Sequence, residues 1–329
     1  MPPFDRARAV CVLGMHRSGT SAITSLLEPL GVYLGTAEDL RDDTAGDPHG
    51  YWEHRGLKAV SEDLLHRFGA DWHRPPSDVV GWHEDASLDD LRAHARQVVA
   101  AHAADHPLWG WKDPRTSITL PFWKPLLPDV GYLLCLRHPL EAARSLQTRD
   151  ALPLWHGVRL WLHYTASALI HTAGERRLLL FYEDVVTEPV AAMAAIAAFV
   201  DRPVPPPDQA LRRIMADRRR ERVEAAVPGA AVAGAAADAA AADACPDAVR
   251  ALFAVLRAVV GPGGLRTPAA AAILDATAAA ALAAQRADDL AGGVDGWYAR
   301  PPASTPGPPI RGAWQRVRGR LGSGQRPPT

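Results

Sequence analysis

Cysteine is scarce in this chain of 329 residues: Cys11, Cys135 and Cys245 are its only three. They are too few and too scattered for a disulfide framework or a Cys-rich zinc site, which leaves the cytoplasm as the expected compartment. Long apolar runs are lacking too. Ala9–Leu13 is too short for the apolar region of a signal peptide, and the alanine-rich stretch near 230–245 is broken by Gly234, Asp238 and Asp243. No transmembrane segment is therefore expected. Neither sign of charge is in excess: 36 Lys+Arg stand against 37 Asp+Glu, a formal net charge of −1. That balance argues against a surface devoted to nucleic acid. No internal repeat is visible.

What is present is ordinary globular material, 48% apolar and 22% charged, enough for a full core. Three apolar runs are continuous rather than alternating: Ala9–Leu13, Tyr132–Leu136 and Leu178–Tyr182. Each reads as a strand buried on both faces. Leu108–Lys112 is expected as a fourth strand and Gly31–Leu34 as a short fifth. Helical patterns fill the gaps over Ser21–Leu30, Leu57–Phe68, Ser87–Ala104 with Ser87 as N-cap, and Pro139–Gln147. In Leu154–Ala173, Trp155, Val158, Leu162, Thr165 and Leu169 form a core-facing stripe. The fold class is therefore α/β, a P-loop-like parallel sheet of about five strands flanked by helices, with a helical C-terminal extension.

The division expected is an α/β domain over 1–224, an alanine-rich helical extension over 225–298 and a disordered tail over 299–329. Residues 225–245 hold 13 alanines, whereas Val249, Leu252, Phe253, Leu256 and Val260 make an amphipathic helix. Thr267-Pro268 opens a further helix. The tail is rich in proline and carries six arginines and no acid, enough for weak contact with an anionic membrane surface.

The first strand runs into Gly14-Met15-His16-Arg17-Ser18-Gly19-Thr20-Ser21 and then a helix. A strand, a glycine-bearing turn and a helix start aim backbone N–H groups at an anion. Gly14 and Gly19 have Walker A spacing, but Thr20 stands where that motif has lysine, and no Walker B strand ending in Asp is evident. The loop suits a phosphate ester that needs no Mg²⁺.

At Arg17-Ser18-Gly19-Thr20-Ser21 the sequence resembles the 5′-phosphosulfate loop of sulfotransferases that use 3′-phosphoadenosine 5′-phosphosulfate (PAPS). Leu136-Arg137-His138-Pro139, followed by Ser145, resembles that family's 3′-phosphate element, in which an Arg at a strand end and a Ser eight residues later grip the phosphate. Leu180-Phe181-Tyr182-Glu183-Asp184 is similar to its late strand. The likeness covers roughly residues 8–200, is closest to the bacterial, carbohydrate-type branch, and leaves the last 130 or so matched weakly or not at all.

The resemblance implies PAPS as co-substrate, no metal, and transfer to an acceptor hydroxyl on a glycan, glycolipid or secondary metabolite. It implies Arg17 and Lys112 as charge-neutralising groups and Glu53 as the base, with a raised pKa between Trp52 and His54. His49 and Asp113 are reserve bases. One branch of the family uses a His two residues after the strand lysine, where this chain has Pro114. Arg219 and Arg220, in an arginine run from Arg212 to Arg222, match a late basic loop over the 3′-phosphate. His102 and His106 have the spacing of two metal ligands on a helix but no evident third. Trp109, Trp111 and Trp123 are expected in the core. The rival readings are a P-loop nucleotide kinase and a non-catalytic module that binds 3′,5′-ADP.

Overall fold

The structure, a computed structural model, describes residues 8–40, 52–76, 82–127, 129–206, 245–265 and 267–291. Arg219, Arg220, His49, most of the alanine-rich stretch and the tail lie outside the described residues. The chain divides into one compact unit through Asp288 and a second from Asp289 onward, of which only the helix end at 289–291 is described.

Four strands form one parallel sheet: β1 (Arg8–Gly14), β2 (Leu108–Lys112), β3 (Val130–Leu136) and β4 (Arg177–Phe181), in the spatial order β2-β1-β3-β4. The register pairs Val12 with Lys112, Leu13 with Leu134 and Leu136 with Phe181. Between their charged end residues Arg8, Lys112 and Arg177 the strands carry no charge, because helices cover both faces. Val10, Val12, Leu133, Cys135, Leu178 and Leu180 face α1 (Thr20–Ser25), α7 (Tyr182–Thr187) and α8 (Pro189–Phe199), in a core with Ile23, Val185 and Met193. The alternate residues face the other layer, where α4 (Thr116–Trp123) and α6 (Leu154–His171) pack on β1, and α5 (Pro139–Asp150) packs on α6. α2 (Arg55–Arg67) and α3 (Asp89–Ala103) pair with each other.

The expected fifth strand is reduced to one bridge, Tyr33 to Trp109. Gly31, in the left-handed region at φ 75°, turns the chain onto the sheet edge, but only Tyr33 pairs there. Ser87 is not the cap of α3. It lies inside a short 3₁₀ turn, Ala86–Leu88, whose own cap is Asp85, accepting from the Ser87 N–H at 2.8 Å. In α6, Val158, Leu162, Thr165 and Leu169 are buried as expected, but Trp155 is 39% exposed and Trp161 takes the interior position. Trp109, Trp111 and Trp123 are buried. His102 and His106 hold no metal geometry: both pack on Tyr33, and His102 Nε2 meets the Gly110 carbonyl at 3.0 Å. Among the described residues no cluster of three metal-ligating side chains exists, and no helix is long and apolar enough to cross a membrane.

The described part of the C-terminal region, within 245–291, is mostly helical. α9 (Asp247–Val259) buries Val249, Leu252 and Leu256, and a small hairpin, β5 (Val260–Gly261) and β6 (Gly264–Leu265), lies against β4. α10 (Pro268–Ala291) is tied to β4 by a 2.7 Å ion pair between Asp275 and the buried Arg177.

Candidate active site

The strand order fixes where a site can form. β1 leads to β2 on one side, whereas β3 leads to β4 on the other. The connections diverge between β1 and β3, so the crevice opens outside the carboxyl ends of those two strands. The loop Gly14–Gly19 leaves β1 there, and Arg137 follows the last residue of β3.

The loop is held in an unusual shape. Gly14 and Gly19 have φ of 140° and 80°, and Arg17, a non-glycine residue, has φ 66°. A left-handed L-residue costs roughly 1–2 kcal/mol and persists only where its surroundings enforce it. Here they do. The Gly14 N–H donates to Ser117 Oγ at 3.0 Å, and the Ser18 N–H to the Met15 carbonyl at 3.1 Å. Gly19 lies so close to the Tyr182 ring that a Cβ would meet it at 2.2 Å. Ser18 and Thr20 are buried, and Ser18 Oγ has no hydrogen-bond partner among the described residues.

The two phosphate-type motifs meet. Arg17 Nε donates to Ser145 Oγ at 2.8 Å, and Arg137 donates to the Arg17 carbonyl at 2.9 Å. Arg137 also lies 5.0 Å from the centroid of the Tyr182 ring. Its own carbonyl accepts from Trp161 Nε1 at 2.9 Å, and the next N–H, of His138, donates to Glu183 at 2.8 Å. Pro139 then starts α5, which carries Ser145. Ser21 is half-buried in α1, the element that follows the loop.

A second cluster flanks the first. Lys112, the last residue of β2, is almost wholly buried, and its ammonium donates to Glu53 at 2.8 Å. Arg115, also buried, lies 3.5 Å from Glu53, 2.9 Å from Asp113 and 3.0 Å from Glu62, and Lys58 approaches Glu53 to 3.8 Å. Glu53 is presented by a second left-handed residue, Trp52 at φ 58°, and by His54, whose Nδ1 caps α2 at the Leu57 N–H. Burial pushes the Glu53 carboxyl up, but Lys112, Arg115 and Lys58 outweigh it and hold it below the usual range. The raised pKa expected from sequence is thus reversed, because three cations from α2, β2 and the turn after it converge on one carboxylate.

Sequence reasoning gave Arg115 no role of its own and missed His16. His16 is buried between Trp72 and Tyr164, at ring distances of 4.7 and 5.6 Å. Its Nε2 has no hydrogen-bond partner among the described residues. Burial and the nearby Arg115, Arg149, Lys112 and Lys58 push its imidazole well below the ordinary value, so it is neutral. The adjacency of His16 to the loop glycines was the available signal. Asp113, a reserve base in the sequence reading, is buried and committed to Arg115 through its side chain and to the Arg115 N–H at 3.0 Å.

A family model described as "Sulfotransferase family" matches residues 9–206. Among solved structures the chain is similar to a sulfotransferase domain from the Synechococcus PCC 7002 olefin synthase, at 18% identity over 61% of this chain and 76% of that one, with a TM-score of 0.38. It is also similar to the sulfotransferase STF9 from Mycobacterium avium, at 17% identity over 65% of this chain and 68% of that one, with a TM-score of 0.40. No curated protein matches the chain.

Proposed function

The chain belongs to the sulfotransferase family, and we propose that it moves a sulfuryl group from PAPS to an acceptor hydroxyl on a glycan, glycolipid or secondary metabolite. The observation that carries this reading is the closure of Arg17, Ser145 and Arg137 on one another at the switch point of the sheet. Two cations and a hydroxyl gathered where an anion is favoured suit a ligand with two separated phosphate-type groups. The buried Ser18 hydroxyl, without a hydrogen-bond partner among the described residues, adds a donor for the same ligand. Thr20 at the Walker lysine position, and Lys112 arriving from a different strand, speak for an anion other than Mg²⁺-ATP.

PAPS supplies an activated sulfuryl group. Arg17, Ser18, Gly19, Thr20 and Ser21 hold its 5′-phosphosulfate, and Arg137 with Ser145 holds the 3′-phosphate. Arg219 and Arg220, which the resemblance implies for that phosphate, lie outside the described residues. The acceptor oxygen attacks sulfur in line as the bond from sulfur to the bridging oxygen breaks, and 3′,5′-ADP leaves. Lys112 and Arg17 neutralise the charge that grows on the bridging oxygen. Glu53 takes the acceptor's proton. In the present arrangement Glu53 and Lys112 satisfy each other, and a bound phosphosulfate competes for Lys112 and frees a carboxylate oxygen to face the acceptor. No metal is needed, and the reducing cytoplasm suits three free, buried cysteines.

Incubation with radiolabelled PAPS and a panel of sugar, glycolipid and phenolic hydroxyls tests the reading. Label appearing on an acceptor, in EDTA, is the expected result. Phosphoryl transfer from Mg²⁺-ATP with no use of PAPS would overturn it.

A further inference from the structure

Arg137 is braced by a part of the chain that lies beyond the segment matched by the family model. α9 projects Phe253 onto the strand ends of β3 and β4. The ring meets His138, the neighbour of Arg137, edge-on at 4.6 Å and an interplanar angle of 75°. It meets Trp161, whose indole N–H holds the Arg137 carbonyl, at 6.3 Å, and Phe181, the last residue of β4, at 6.0 Å. One side chain thus touches three rings that frame the backbone of Arg137. One turn on, Arg257 lies 4.4 Å over the Phe181 ring and pairs with Asp184 at 3.1 Å. Asp184 sits in α7, which begins with Tyr182, the ring beneath the Arg137 guanidinium. The helix is therefore fastened to both sides of Arg137.

We propose that α9 is a working part of the sulfuryl-donor site, with Phe253 a positioning residue that sets Arg137 for a 3′-phosphate and so determines discrimination between 3′-phosphorylated and plain adenosine 5′-phosphates. The inference rests on the proposed role of Arg137. An arginine fork selects a phosphate by geometry, and its direction depends on the backbone that carries it. Trp161 fixes that backbone by its hydrogen bond and Phe253 fixes Trp161 and His138 by packing, so removing the ring lets Arg137 swing; the loop of Gly14–Gly19 then loses the Arg137 bond to the Arg17 carbonyl but keeps its contacts with Ser117, Tyr182 and Ser145. The effect falls on the 3′-phosphate and spares the 5′-phosphate.

The test compares the full-length protein with Phe253→Ala and Phe253→Leu, using calorimetric binding of 3′,5′-ADP and of adenosine 5′-monophosphate in EDTA. Thermal melts accompany each variant, and Phe253→Leu keeps apolar bulk if the alanine variant does not fold. The expected result is a fall in the affinity ratio of the two nucleotides by roughly tenfold in Phe253→Ala and less in Phe253→Leu, with the monophosphate unaffected. Equal weakening of both nucleotides marks a merely structural helix and overturns the inference. So does an unchanged ratio in a wild-type protein that does discriminate. A wild-type ratio near one instead removes the role of Arg137 and, with it, the donor reading.

Discussion

Arg17 Nε and Ser145 Oγ share a 2.8 Å hydrogen bond across 128 residues of chain. The contact joins the loop after β1 to the helix after β3, and Arg137 seals it from the other side through the Arg17 carbonyl. Parallel topology makes this meeting possible, since both strands end at the same edge of the sheet.

Loss of Glu53 is expected to affect rate and stability together. Glu53→Gln removes the proposed base and is expected to lower kcat by about 10²–10⁴-fold. It also puts a neutral amide where Lys112, Arg115 and Lys58 converge on a buried carboxylate, and removing one charge of such a cluster costs up to about 3–5 kcal/mol. Steady-state kinetics and denaturant melts check the two effects separately. Full activity in Glu53→Gln would end its assignment as base.

Gly19→Ala places a Cβ 2.2 Å from the Tyr182 ring at a backbone φ of 80°. The loop or the ring must move, and either motion spoils the proposed anion cradle. Binding of 3′,5′-ADP is expected to disappear while far-ultraviolet circular dichroism still reports a folded protein. Unchanged affinity would show that the loop tolerates a different shape.

Buried histidines make the fold sensitive to mild acid. Burial, with Arg286 and His171 nearby, pushes His163 down to about 3; burial pushes His171 and His102 down to about 4 despite their carbonyl partners. The unfolded chain takes up protons near pH 6.5 while the native state refuses them until about pH 3 to 4. Stability therefore falls as pH drops through that window, each histidine contributing up to about 1.4 kcal/mol per pH unit. Glu53 acts lower: its stabilisation is complete above its unfolded value and is lost as pH falls through its depressed folded one. Melting temperatures between pH 7 and pH 5 should decline in the wild type and decline less steeply in His163→Phe. Equal slopes would contradict the buried-neutral assignment.

The sheet was legible because its strands are buried on both faces and read as unbroken apolar runs, such as Leu133-Leu134-Cys135-Leu136. The phosphate-type loop was legible because two glycines at fixed spacing are needed where the backbone turns left-handed. Tyr33 was not, since whether an edge segment pairs over one residue or four depends on the neighbouring chain. Trp155 and Trp161 lie on adjacent parts of one helix, and only the packing of α5 and α9 decides which is interior. The pairing of Glu53 with Lys112 spans 59 residues and passes through a left-handed Trp52, so neither the ion pair nor the sign of the pKa shift has a local signature.

The central claim is a metal-independent site for a nucleotide bearing two phosphate groups. Calorimetric titration of 3′,5′-ADP in EDTA, on wild type and Arg137→Ala, tests it most directly. The account predicts binding by the wild type and a loss of about 10–100-fold in the variant, the worth of one charged hydrogen-bonded contact. Absence of binding in the wild type, or equal binding in both proteins, would contradict it.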